Sequence, residues 1–92
     1  LPFNADGKIV GDIAAQTKQA LANLVRVLAA VGLSRNDVVQ CRVYIPDVAY
    51  WDTVNQVYAD FFGSHKPART VVPCGNLHYN ALIEIDAVAE FA

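Results

Sequence analysis

Charge is scarce in this chain. Only 17% of its 92 residues are Asp, Glu, Lys or Arg, and the seven basic residues are outnumbered by nine acidic ones for a net charge of −2. A nucleic-acid binder carries a basic stripe or patch. None is present, so nucleic acid is not an expected partner. Cysteine is also scarce: Cys41 and Cys74 are the only two, and they form no CxxC pair. A chain with a good apolar core does not need a disulfide, so both are read as buried thiols. His65 and His78 each stand alone, which argues against the clustered ligands of a metal site. No apolar run is long enough to span a bilayer and no signal-peptide pattern is visible. No membrane partner is expected, and the cytoplasm is the expected location. The chain starts at Leu1 rather than Met, as a fragment or processed form would.

Apolar residues, by contrast, are plentiful. They make up 54% of the chain, rich for a single small domain spanning residues 1–92. A domain this small buries a modest fraction of its surface, and surplus apolar area then goes into subunit contacts. An oligomer is expected on that ground alone.

The apolar residues are patterned. LPFNADGKIVG (1–11) reads as a loop with a turn at Asn4-Ala5-Asp6-Gly7. Asp12 is a candidate helix cap. From there Ile13, Leu21, Leu24 and Leu28 fall at helical spacing with Thr17 and Ala20, while Gln16, Lys18, Gln19, Asn23 and Arg26 take the polar face. Gly32 stops the helix. VVQCRVYI (38–45) alternates as a strand, with Val39, Cys41, Val43 and Ile45 on one side and Val38, Gln40, Arg42 and Tyr44 on the other. Pro46 ends it. Asp47 caps a second helix over 48–62, whose buried stripe is Trp51, Val54, Tyr58 and Phe61/Phe62. A strand follows at 68–73, then a turn around Gly75-Asn76, then a strand at 81–91. The order helix, strand, helix, strand, strand predicts an α+β layer arrangement: a mixed sheet with two helices packed on one face, the last two strands forming a hairpin.

The last strand is amphipathic in a telling way. Ile83, Ile85, Ala87, Ala89 and Phe91 share one face, which belongs under the helices. Leu82, Glu84, Asp86, Val88 and Glu90 share the other, and no further segment of this chain is left to cover it. A second subunit could. On neighbouring strands, Arg69 and Glu84 would pair a bidentate clamp for a small carboxylate with a group able to hold or activate water. Spacing alone favours the plainer reading, a cross-strand ion pair or two solvated charges. Asp86 and Glu90 read as solvated or paired, Arg42 as facing solvent or a subunit contact, His65 as a surface residue, and Cys74 as having no basic partner to make it a nucleophile.

Pro67-Ala68-Arg69-Thr70, Leu77 and Ile83-Glu84-Ile85, at their spacing here, resemble the YjgF/RidA family of reactive-intermediate (imine) deaminases. AAQTKQALANLVRVLAAVGLSRNDVVQCRVYIPD looks like that family's first helix and following strand, and WDTVNQVYADFF like its second helix, including Val54-Asn55. The resemblance covers essentially the whole chain. It implies a chorismate mutase-like fold assembled as a homotrimer with sites in clefts between subunits. It also implies hydrolysis of enamine or imine acids of the 2-aminoacrylate type to 2-keto acids and ammonia, with no cofactor and no metal. Carried over by position, Arg69 matches the arginine that grips the substrate carboxylate. Glu84 matches the catalytic glutamate that orients the attacking water, and Asn55 an asparagine near the site. Val71 stands where many members have a cysteine, which implies a changed pocket shape. The family opens with two strands and a Gly-Pro-Tyr-Ser-type motif whose tyrosine lines the site. LPFNADGKIVGD resembles the loop after that segment, so the domain is expected to be N-terminally incomplete, with an unpaired sheet edge. A non-catalytic trimeric ligand-binding or regulatory module of the same fold is the alternative. A chorismate-mutase-like reaction is a third reading, but needs more cleft cations than Arg69 and Arg42. A nuclease role is attached to some members; the acidic balance argues against it here.

Overall fold

Asp12 begins the first helix as expected. Its carboxylate accepts the Ala15 N–H at 2.9 Å, meeting one of the donors that a helix start leaves open. In the computed structural model, which describes residues 1–91, helix α1 runs Ile13–Ala30. It ends at Gly32, whose φ of 79° suits a residue without Cβ. Gly32 N–H donates to Ala29 O at 3.1 Å and Leu33 N–H to Leu28 O at 2.9 Å, the paired bonds of a Schellman stop. The segment before α1 makes the anticipated turn: Asn4 Oδ1 accepts from the N–H groups of Asp6 and Lys8. Asn23 on α1 ties that segment down by donating to the Leu1 and Phe3 carbonyls.

Gln16 departs from the pattern. It is buried, not on the polar face. Its Nε2 donates to Gly11 O and its Oε1 accepts from Leu82 N–H, both at 2.9 Å. One side chain thus bridges the entry to α1 and the approach to the last strand, and its two bonds offset its burial.

Strand β1 is Val38–Ile45. A register shift between Val38 and Gln40 reverses the first two residues: Val38 is fully buried and Val39 is 40% exposed. An extra residue in one strand flips alternation locally, which period-two counting does not foresee. Cys41, Val43 and Ile45 point to the helices as expected. Asp47 caps a short 3-10 turn, Val48–Tyr50, which leads into α2, Trp51–Phe62. Val54, Val57, Tyr58 and Phe62 form its buried stripe. Trp51 was expected there but is on the exposed side, at 36%, at the first position of the helix.

Strands β2 (Ala68–Pro73) and β3 (Glu84–Ala89) do not form a hairpin. The sheet order is β2-β1-β3, with β1 parallel to β2 and antiparallel to β3. β1 presents the most buried side chains of the three strands and takes the centre. Residues 74–83 carry the chain past β1, through consecutive left-handed residues Tyr79 and Asn80 (φ 57° and 56°). β3 thereby reaches α1, which packs against it. The strand is shorter than 81–91, and Phe91 lies outside it, 72% exposed. Both helices and the sheet share one apolar cluster, with Leu21, Val43, Ile45, Val54 and Ile83 fully buried. The opposite face of the sheet, with Tyr44, Val72, Glu84 and Val88, has no helix over it. Among the described residues, the outer edges of β2 and β3 have no partner strand.

Candidate functional site

The site begins with Arg69 on edge strand β2. Arg69 pairs in register with Cys41, and paired residues in a ladder share a face, so its side chain leaves the sheet on the helix side. There Nη1 donates to Asn55 Oδ1. The guanidinium carbon lies 5.0 Å from the centre of the Tyr58 ring, a cation–π distance. Asn55 and Tyr58 are three residues apart on α2 and so share one face of that helix. Arg69 remains exposed. One of its five N–H donors serves Asn55, so the others stay available for a planar acid.

Beside Arg69 opens a cleft of about 350 Å³, lined by Tyr58, Phe62, His65, Lys66 and Pro67 among others. Its floor is aromatic: Tyr58 and Phe62 ring centres are 4.7 Å apart. Lys66 and Arg69 are its charged residues, and no carboxylate lines it among the described residues. His65, read from sequence as a surface residue, is half-buried and bonds through Nε2 to Val38 O at 2.7 Å. That bond fixes the loop between α2 and β2.

Tyr58 was legible only as a core residue. Its ring does belong to the core, but it also supports Arg69. The available signal was the Asn55–Tyr58 spacing, which puts any group held by one within reach of the other. The Tyr58 hydroxyl is buried without a hydrogen-bond partner. The Cys41 thiol is its neighbour across the core. Burial, then the Cys41 contact, push the Tyr58 phenol well above its ordinary range, against a smaller pull from Arg69. Burial likewise raises the Cys41 thiol, opposed by Tyr58 and, more weakly, by Arg69. Cys41 is buried and Cys74 only half-buried, so the expectation of two buried thiols holds for the first.

Val71 is half-buried and follows Arg69 on the same face of β2, packed against the core. Glu84 is elsewhere. On β3 it pairs with Tyr44 of β1, and Tyr44 alternates with the buried Val43 and Ile45. Glu84 therefore projects from the uncovered face. Arg69 and Glu84 stand on opposite faces of the sheet and on its two outer strands, roughly 10 Å apart laterally by strand spacing. The adjacency that a hairpin would have created does not exist within one chain. Glu84 is half-buried and makes no ion pair among the described residues; the recorded pair is Arg42–Asp86, at 2.9 Å, on the same uncovered face. No group of three or more His, Cys, Asp or Glu comes together among those residues. No helix there is long and apolar enough to cross a membrane.

The family model described as endoribonuclease L-PSP matches residues 1–91. A RutC family protein of Pyrococcus horikoshii is 46% identical over 84 residues, covering 90% of this chain and 67% of the relative. One from Pyrococcus abyssi is 43% identical, covering 90% and 66%. The chain thus spans about two thirds of the length of these curated relatives. Among solved structures, the YjgF gene product of E. coli superposes with a TM-score of 0.90 at 37% identity, covering 96% of this chain and 72% of that one. E. coli TdcF, solved with bound serine, gives 0.89 at 32%, covering 94% and 70%. YyfA of Yersinia pestis, from the Rid family, gives 0.94 at 35%, covering 98% and 74%. With its mixed sheet, its two covering helices and its Arg69 and Glu84 motifs, the chain belongs to the YjgF/RidA family.

Proposed function

We propose that the protein hydrolyses enamine and imine acids of the 2-aminoacrylate type to 2-keto acids and ammonia. The observation that carries the reading is Arg69: an exposed guanidinium, anchored at Nη1 by Asn55, with donors to spare beside a cleft that has no carboxylate. Such a group binds a small carboxylate in a bidentate fork and fixes its plane. The bound serine of the related TdcF is a small acid of the same general kind.

The chemistry asks little beyond orientation. 2-Aminoacrylate takes a proton at its methylene carbon and becomes the iminium ion. Water then adds to the electrophilic C2, giving up a proton to the Glu84 carboxylate. Glu84 returns that proton to the nitrogen, the carbinol hydroxyl gives its own proton to Glu84 as the C–N bond breaks, and ammonia leaves pyruvate behind. Arg69 holds the carboxylate while Glu84 aims the water, so the gain is mainly positional. Because Arg69 and Glu84 face away from each other in one chain, the complete site combines Arg69 of one subunit with Glu84 of another. A homotrimer with clefts between subunits meets that need, and the uncovered sheet face around Glu84 supplies the surface. Neither a cofactor nor a metal is part of the proposed reaction, and nucleic acid is not its substrate.

The separation of Glu84 from Arg69 also favours a second reading, a module that binds a small acid at Arg69 without turning it over. The two are separated by generating 2-aminoacrylate in situ and following ammonia and pyruvate. Release above the spontaneous rate that vanishes in Glu84→Gln, with pyruvate binding kept, supports the deaminase. Ligand-dependent thermal stabilisation without release supports the binding module.

A further inference from the structure

Arg69 lies on an exposed edge strand, where a long side chain ordinarily samples many rotamers. Two groups on one face of α2 oppose that freedom. Asn55 accepts in the plane of the guanidinium, at Nη1. The Tyr58 ring meets the guanidinium from a centroid 5.0 Å away. An in-plane hydrogen bond limits rotation of the fork, and an aromatic neighbour limits its displacement; the two constraints are complementary.

We propose that Tyr58 is a positioning residue for Arg69, its ring and Asn55 together forming a two-point cradle that holds the guanidinium ready for a carboxylate. The inference rests on the reading of Arg69 as the carboxylate clamp. The ring is the working part. The hydroxyl is buried and has no partner, whereas buried polar groups kept for their polarity are normally satisfied. With Nη1 engaged by Asn55, the Nε–Nη2 edge remains open for a bidentate ligand. An arginine held in advance loses less freedom on binding, so the cradle acts on affinity more than on the chemical step.

The test uses the full chain labelled with ¹⁵N, with pyruvate as the probe. In the wild type the Arg69 side-chain protons are expected to be shifted upfield by the ring. Tyr58→Phe retains the shift and binds pyruvate within about twofold of wild type, because the ring remains. Tyr58→Leu loses the shift and weakens pyruvate about tenfold, with KM for the 2-aminoacrylate reaction rising more than kcat falls. Unchanged pyruvate affinity in Tyr58→Leu overturns the proposal, and so does a wild-type spectrum with no ring shift. Should Tyr58→Leu fail to fold, the wild-type and Tyr58→Phe spectra decide by themselves, since a shift absent from either refutes a cradle built on the ring. A wild type that shows the shift yet neither binds pyruvate nor releases ammonia refutes the clamp reading and not the cradle.

Discussion

Two inactive variants, mixed, report on whether the site is shared between subunits. Arg69→Ala removes the proposed carboxylate clamp, a charge-assisted fork expected to be worth about 2–4 kcal/mol, or roughly 30- to 1000-fold in kcat/KM. Glu84→Gln removes the group proposed to aim the water, an effect expected to be roughly 100-fold or more. Neither change threatens the fold: Arg69 is exposed, and Glu84 is half-buried without an ion pair. Each variant alone is expected to be nearly silent. Unfolded together in equal amounts and refolded, they are expected to form mixed assemblies if the proposed homotrimer exists. If every site takes Arg69 from one subunit and Glu84 from its neighbour, about a quarter of the sites join two intact residues and another quarter join two defective ones. Ammonia release from 2-aminoacrylate should then recover to about 25% of wild type. Arg69 and Glu84 drawn from the same chain would allow no intact site in any mixture. Activity no greater than the sum of the separate variants would refute the argument from sheet faces.

Three further outcomes follow from the packing. Tyr58→Phe deletes a buried hydroxyl with no partner and should stabilise the chain by about 1 kcal/mol in urea unfolding, raising Tm by roughly 5 °C. Gln16→Ala removes the bonds to Gly11 O and from Leu82 N–H; it should cost about 2 kcal/mol, or roughly 10 °C. Burial raises the Cys41 thiol and the Tyr58 phenol above their ordinary values of 9.0 and 10.0. Above about pH 9 the unfolded chain therefore binds fewer protons than the folded one, and stability falls as pH rises. Urea midpoints measured from about pH 8 to about pH 11 should decline in the wild type and flatten in Cys41→Ala with Tyr58→Phe.

Much of this molecule is local physics. The Asp12 cap, the Gly32 stop, the alternation of Cys41, Val43 and Ile45, and the bounds of β1 and β2 follow from residues within a few positions of each other. The covered face of Ile83 and Ile85 follows from period two, as does the outward aim of Glu84. Family membership was legible in the Pro67–Thr70 and Ile83–Ile85 motifs and is shown by the match over residues 1–91. Gln16 and Val39 escaped that logic for local reasons of another kind: a buried amide whose partners are Gly11 and Leu82, and a single-residue shift in the ladder.

What the tertiary structure alone decided is strand order. Two strands joined by a turn look like a hairpin, because pairing with a chain neighbour is the common outcome. Here β1 has the side chains to be buried at the centre, and β3 must pass it to lie against α1. That one choice carries Arg69 and Glu84 to opposite edges and faces of the sheet. It also brings Arg69 to Asn55 and Tyr58, on a helix that precedes it in the chain. Composition and periodicity specify which face a residue occupies. Which strands are neighbours depends on how all the apolar faces are satisfied at once, and that is a property of the packed molecule.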